Sequence, residues 1–369
     1  MTSKRICLVV PTIRENCFKD FVARWAAIGL FDHVDLLVME DNPSKTFNLD
    51  GLMLDKGTLP HWGHYSWQDI RLELGDNEWI IPRRSDTVRS FGYWKAWQLG
   101  YEFILTLDDD CYPCTEMDGL KYDGLAFIEE HIKALENRSK WFNTLTSVKP
   151  RGIPFYNVGS LGVGKNVIVN HGLWTNVIDY DAPFQLANPI KEQFSFDNRV
   201  VPSGLYFPMC GMNVMWRADA TVLMYHLLMG QRRSALPDVD PRANKDGLIK
   251  LPFDRFGDIW CGILMKKVAD SLGLMVSTGM PYIRHERASN PFTNLKKEAN
   301  GIEVNEDFWE FVDGVEIDHG STLPQAYKLL GLSMLCFVVD YPKYAEYEEY
   351  FTLLGRAMIE WSKLFEEKR

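Results

Sequence analysis

Apolar and polar positions along the chain fall into blocks whose lengths predict strand, helix and strand in turn. Arg5 to Val10 is a continuous apolar run closed by Pro11 and Thr12, which reads as a buried strand. The following CFKDFVARWAAIGL repeats its apolar residues at three and four positions, so a helix is expected, capped by Asn16 and stopped by Gly29. His33 to Met39 predicts a second strand, ending in Glu40 and Asp41 before the turn residues Asn-Pro-Ser. Strand, helix and strand of this size form a parallel βαβ unit, whose ligand edge lies where its strands end. Phe47 to Trp79 reads as irregular with one short helix, and Thr87 to Leu99 as a helix in spite of Gly92.

Beyond residue 120 the pattern predicts helices over Gly124 to Arg138, Ala218 to Leu228 and, after Asp254 and Asp258, up to a stop at Gly273. Strands are expected over Trp141 to Leu145, Val167 to Asn170 and Leu274 to Ser277, the last leading to Arg284 and His285. Leu205 to Met215 reads as core strand, Lys149 to Phe155 as a fixed loop around Arg151, and Gln231 to Leu251 as a mobile polar loop. A long amphipathic helix over about Pro342 to Lys368 packs on the domain or makes an oligomer contact. The fold class is α/β.

The stretch that changes the picture is YEFILTLDDDCY, Tyr101 to Tyr112. An apolar, β-branched run ends in Asp108, Asp109 and Asp110, as a buried strand does when it delivers acids to the carboxyl edge of a sheet. On an extended chain Asp108 and Asp110 point the same way and can share one task, such as holding Mn²⁺ or Mg²⁺ against a diphosphate. A solvated acidic turn is the alternative. Thr12 and Asp41 belong to the same edge, and Arg89 is a phosphate ligand or an ion-pair partner.

Composition excludes more than it selects. The 369 residues carry a formal net charge of −10 and no dense basic run, which argues against nucleic acid and anionic membranes as partners. No segment has the length of a membrane span, and the first apolar run is too short for a signal peptide. Seven scattered cysteines favour the cytoplasm over a disulfide framework, and Cys111 and Cys114 read as loop or core thiols.

Taken together, Pro11-Thr12-Ile13-Arg14, DNPSKT from Asp41, Phe91-Gly92-Tyr93, LDDDC, FNTL, RG-x-PF at Arg151, HGLW with DYDAP, FPMCGMN, Asp258-Ile259-Trp260 with Gly262, and PYI-x-H with ASNPF-x-NLKKE resemble the reversibly glycosylated polypeptides. That family includes the UDP-arabinopyranose mutases, and the matches run in order from about residue 9 to about residue 301. The resemblance implies a GT-A-like, Rossmann-type, mostly parallel sheet flanked by helices over 1–301, with a helical C-terminal extension over 302–369. It implies a UDP-sugar, UDP-arabinose first, as substrate and a divalent metal held by Asp110 and His285. By the same likeness Thr12, Arg14, Asp41, Arg89, Asp108 and Asp109 serve the sugar nucleotide, and His171 and Trp174 line the sugar pocket or are structural. Arg151 matches the arginine that becomes glycosylated in plant members, with Asp258 as the carboxylate that takes its proton; gripping the diphosphate is the rival role for Arg151.

The chain departs from the plant pattern in a shorter loop before Arg151, in Gly257-Asp258 where those have two acids, in Arg284 where they have tryptophan, and in the insertion Gln231 to Leu251. Mutation of ring form is therefore weighed against glycosyl transfer, to itself or to an acceptor, and against a non-catalytic subunit role, on the way to cell wall polysaccharide.

Overall fold

The computed structural model describes residues 5–49, 62–117, 120–121, 124–136, 166–177, 179–187, 198–234, 239–286 and 290–366. The expected strand over Trp141 to Leu145 and the loop carrying Arg151 lie outside them.

Ile6–Thr12 (β1) is buried at every position, so it is covered on both faces. Leu8 and Val10 point to one side, where they meet Phe18, Phe21 and Trp25 of helix α1, Glu15–Ala27. Cys7 and Val9 point to the other, against Phe91 and Trp94 of helix α3, Arg89–Gln98; α2 is Trp67–Leu74. β1 pairs in parallel with Asp35–Glu40 (β2) and Phe103–Leu107 (β4), and β2 in parallel with Trp62–Tyr65 (β3). Cys111–Pro113 (β5), Val167–Asn176 (β6), Asn213–Arg217 (β7) and Met275–His285 (β8) complete the order β3-β2-β1-β4-β7-β6-β8-β5. β7 is antiparallel to both neighbours, whereas β6 and β8 are parallel to each other. β1, β2, β3, β4, β6 and β8 therefore all run the same way, and their carboxyl ends share one edge. The α/β class and the mostly parallel sheet follow.

Gly92 is why α3 lies so close to this sheet. A Cβ there would stand 2.6 Å from Val9 Cγ1 and 2.9 Å from Met39 Sδ. The residue that weakens a helix propensity argument is what lets the helix dock.

Several elements differ from the sequence expectation. The helix after β1 starts at Glu15 with Arg14 in the cap position and no side-chain cap bond, so Asn16 lies inside it. β3 stands in the stretch read as irregular. Ala218 to Leu228 is only a 3₁₀ turn, Ala218–Leu223, because the chain then leaves helical geometry and Leu227 takes a φ of 62°. Of Leu205 to Met215, only the end from Asn213 is strand. The polar insertion contains a small antiparallel pair, Gln231–Arg233 with Leu248–Lys250. The helix at the carboxyl end is shorter than expected, Glu348–Lys363, preceded by a 3₁₀ turn over Pro342–Tyr347. The helix Pro291–Asp313 runs straight through position 301. Trp361 stacks on Tyr225 at 5.0 Å and donates its indole N–H to the Val222 carbonyl, 2.8 Å away, so the last helix shares a core with the α/β layer.

Candidate active site

The common carboxyl edge brings together Thr12 from β1, Asp41 just past β2, Asp108, Asp109 and Asp110 past β4, and His285 at the end of β8. The three aspartates do not extend the strand. The chain turns after Leu107, the Cys111 N–H donates to the Asp108 carbonyl at 3.0 Å, and Asp108 pairs with Arg89 whereas Asp110 pairs with Arg14. The expectation that Asp108 and Asp110 point the same way is thereby corrected.

Asp109 is buried. It accepts from Thr12 Oγ1 at 2.7 Å and from both Nε and Nη2 of Arg14, while Arg14 also reaches Asp110 Oδ2 at 3.0 Å. Burial pushes the Asp109 carboxyl up, against the pull of Arg14 and Thr12. Burial works against the charge on Arg14 as well, but its bonds to Asp109 and Asp110 prevail and hold it firmly protonated. Asp41, also buried, accepts from Trp67 Nε1 at 2.7 Å and from the Ser85 N–H at 3.0 Å. It therefore anchors the turn that precedes α3.

Arg89 lies buried beneath this floor and makes four hydrogen bonds. Nε donates to the Asp86 carbonyl at 3.0 Å, Nη1 to Gly211 O at 2.7 Å and Thr106 Oγ1 at 3.3 Å, and Nη2 to Asp108. Of the two roles considered for it, the structure displays the ion pair. Burial would raise the Asp108 carboxyl, but Arg89 outweighs it and holds the group below its usual range.

His285 is the other fixed point. Its Nδ1 lies 2.8 Å from the Val177 carbonyl, which can only accept, so Nδ1 carries the hydrogen. Nε2 of the neutral ring then presents a lone pair, and it faces Asp110 Oδ1 at 3.7 Å. Two acceptors turned toward one another at that separation fit a cation lying between them. Among the described residues no group of three or more His, Cys, Asp or Glu converges as a closed metal cage. Two protein ligands with room for phosphate oxygens are what a nucleotide-bound Mg²⁺ or Mn²⁺ uses.

His171 faces the interior of β6. It accepts from the Cys210 N–H through Nε2 at 3.1 Å and lies 2.9 Å from Thr278 Oγ1 through Nδ1, and burial lowers its pKa to about 4. Trp174 packs edge-on against it at 5.6 Å and is half-buried. Asp258 opens helix Gly257–Ser271 and accepts from Gly211 N–H at 2.8 Å. Burial, then the charges of Asp86 and Asp179, raise its pKa to about 7. Asp86 and Asp179 were not singled out in the sequence. Asp86 is faced by Arg89, Asp108, Asp254 and Arg255, yet 44% of its side chain meets solvent. Asp179 belongs to the DYDAP motif, which could have flagged it.

The Asp258 shift has a consequence for stability. A carboxyl whose folded pKa lies above its unfolded value leaves the folded state binding more protons between the two, so stability falls as pH rises from about 4 toward 7. Asp258→Asn, which keeps an acceptor for Gly211, is expected to melt at a higher temperature than wild type at pH 8, with the difference shrinking toward pH 5. Equal melting points at pH 8 would contradict the shift.

The family model for reversibly glycosylated polypeptides matches residues 1–369. A probable UDP-arabinopyranose mutase 1 from Zea mays is 34% identical, over 98% of this chain and 90% of its own. UDP-arabinopyranose mutase 3 from Arabidopsis thaliana is 33% identical, over 100% of this chain and 92% of its own. Among solved structures, glucosyl-3-phosphoglycerate synthase from Mycobacterium tuberculosis overlays with a TM-score of 0.41 at 10% identity, over 83% of this chain and 80% of its own.

Proposed function

The chain belongs to the reversibly glycosylated polypeptide family, and from that premise we propose that it is a UDP-sugar mutase interconverting UDP-arabinopyranose and UDP-arabinofuranose. The observation that carries the reading is the pair of acceptors, Asp110 Oδ1 and His285 Nε2, facing each other at the carboxyl edge of the sheet in a chain related over nearly its whole length to named mutases.

Asp110 and His285 would hold a divalent cation, and the imidazole nitrogen favours Mn²⁺ over Mg²⁺. Such a cation supplies charge neutralisation for a departing diphosphate. The chain's own residues do the rest. Arg14 neutralises Asp109 and half of Asp110, which keeps the edge from repelling phosphates. Arg89 holds Asp108 in place from beneath. Arg151 takes the sugar at its anomeric carbon, and Asp258 is the group that exchanges protons. The setting is the cytoplasm, in keeping with seven free cysteines, and among the described residues no helix is long and apolar enough to cross a membrane.

The test is incubation of the protein with Mn²⁺ and UDP-arabinofuranose, followed by separation of the ring forms. Conversion to UDP-arabinopyranose is expected. Transfer of sugar with no ring isomer would replace the mutase by a transferase.

A further inference from the structure

We infer that Arg255 is a substrate-binding residue, held through Nε by buried Glu298 so that its two terminal nitrogens take the sugar-bearing phosphate of the nucleotide. The inference rests on reading this edge as a nucleotide-sugar site and adds a second anchor for the diphosphate.

Arg255 is built into its loop in a conformation that an L side chain rarely adopts. Its φ is 65°, in the left-handed region. Its neighbours hold it there. Phe253 and Phe256 are buried on either side, and the Phe253 carbonyl accepts from the Gly230 N–H at 2.9 Å. Gly301 passes so close to Phe256 that a Cβ there would stand 2.3 Å from the ring. Two consecutive ion pairs tie the loop to helix Pro291–Asp313: Lys297 Nζ to Asp254 Oδ2 at 2.9 Å, and Arg255 Nε to Glu298 Oε1 at 2.7 Å. A backbone outlier fixed this firmly by packing points to a side chain with a task.

Glu298 connects that side chain to the metal site. Its other oxygen accepts the Ala182 N–H at 2.8 Å, and Ala182 follows Asp179 in the segment whose Val177 carbonyl orients His285. Asp179 in turn is faced by both Arg255 and His285. Only Nε of Arg255 is spent on this link. Among the described residues Nη1 and Nη2 form no hydrogen bond, and 29% of the side chain meets solvent. Burial works against the charge, but Glu298, then Asp179 and Asp86, hold the guanidinium protonated.

The edge needs such a group. Asp86, Asp108, Asp109, Asp110 and Asp179 repel a diphosphate, and two nearby arginines are already committed: Arg14 to Asp109 and Asp110, Arg89 to Asp108. Arg84, also left-handed with a φ of 56°, stacks on Trp67 at 4.8 Å and turns toward Asp246. Arg255 is bound to a carboxylate outside the edge and by one nitrogen, which leaves a two-nitrogen fork for two phosphate oxygens. Asp179 follows β6 and His285 ends β8, across the sheet from the Thr12 and Asp41 of β1 and β2. The phosphate within reach of Arg255 is therefore the one farther from the nucleoside.

The experiment measures UDP and UMP affinity in Mn²⁺ by calorimetry for wild type, Arg255→Gln, Arg255→Lys and Glu298→Gln, with melting temperature as the folding control. Glutamine at 255 keeps a donor for Glu298 and loses the charge and the fork. It is expected to weaken UDP by about 10- to 100-fold and UMP by less than about twofold. Arg255→Lys, with charge but no fork, should fall between, and it carries the same test if the neutral variant melts early. Glu298→Gln should weaken UDP less than Arg255→Gln does and spare UMP, as befits a positioning residue. UDP affinity unchanged in both Arg255 variants, or equal losses for UDP and UMP, overturns the assignment while leaving the nucleotide site standing. Wild type that does not bind UDP in Mn²⁺ overturns both.

Discussion

Asp110→Asn is expected to weaken Mn²⁺ binding in the presence of UDP by more than tenfold and to cut turnover by about 10³-fold, with the fold intact. The substitution removes one unit of charge and little volume. Arg14 keeps its partner in Asp109, which it contacts through two nitrogens, so the edge does not collapse. What disappears is the negative side of the gap between Asp110 Oδ1 and His285 Nε2. An amide oxygen competes poorly with water for a hard dication. Neutralising a leaving diphosphate is worth several kcal/mol, and each tenfold in rate is about 1.4 kcal/mol. Calorimetry with Mn²⁺ reads the binding loss independently of turnover. Unchanged affinity and unchanged turnover would remove Asp110 from the metal role and, with it, the reason for reading this edge as a nucleotide site.

How much of this was legible beforehand follows from where each signal resides. β1, β2 and β4 are buried on both faces, so their apolar runs were readable, and the aspartates at the end of β4 marked the edge. β3 was not readable because Trp62, Gly63 and His64 form an edge strand with no strand-like alternation, held by pairing to β2. Pattern could not show that Arg89 turns inward, since its partner Gly211 is 122 positions away. Asp86 was hidden in the same way, since Asp258, whose carboxyl it faces, is far from it in the chain. His285 was reached through motif likeness. The direction of its lone pair depends on the Val177 carbonyl, which no local pattern announces.

Arg151→Ala is expected to bind UDP and Mn²⁺ normally and to form no detectable ring isomer, a loss of at least about 10⁴-fold. The argument is chemical. Between departure from UDP and return to it the sugar needs C1 protected from water, and a covalent bond to the protein does this. A guanidinium, protonated up to a pKa above about 12, is a poor nucleophile until it surrenders a proton to a neighbouring carboxylate. If Arg151 instead only grips the diphosphate, its removal weakens UDP binding and leaves residual turnover, because Arg14 and the cation still hold the nucleotide. The two roles therefore separate in one pair of measurements. Lost turnover with intact UDP affinity, together with a sugar-mass increment on wild type that Arg151→Ala lacks, supports the covalent role. Lost affinity with surviving turnover assigns Arg151 to the phosphates, and full activity ends both.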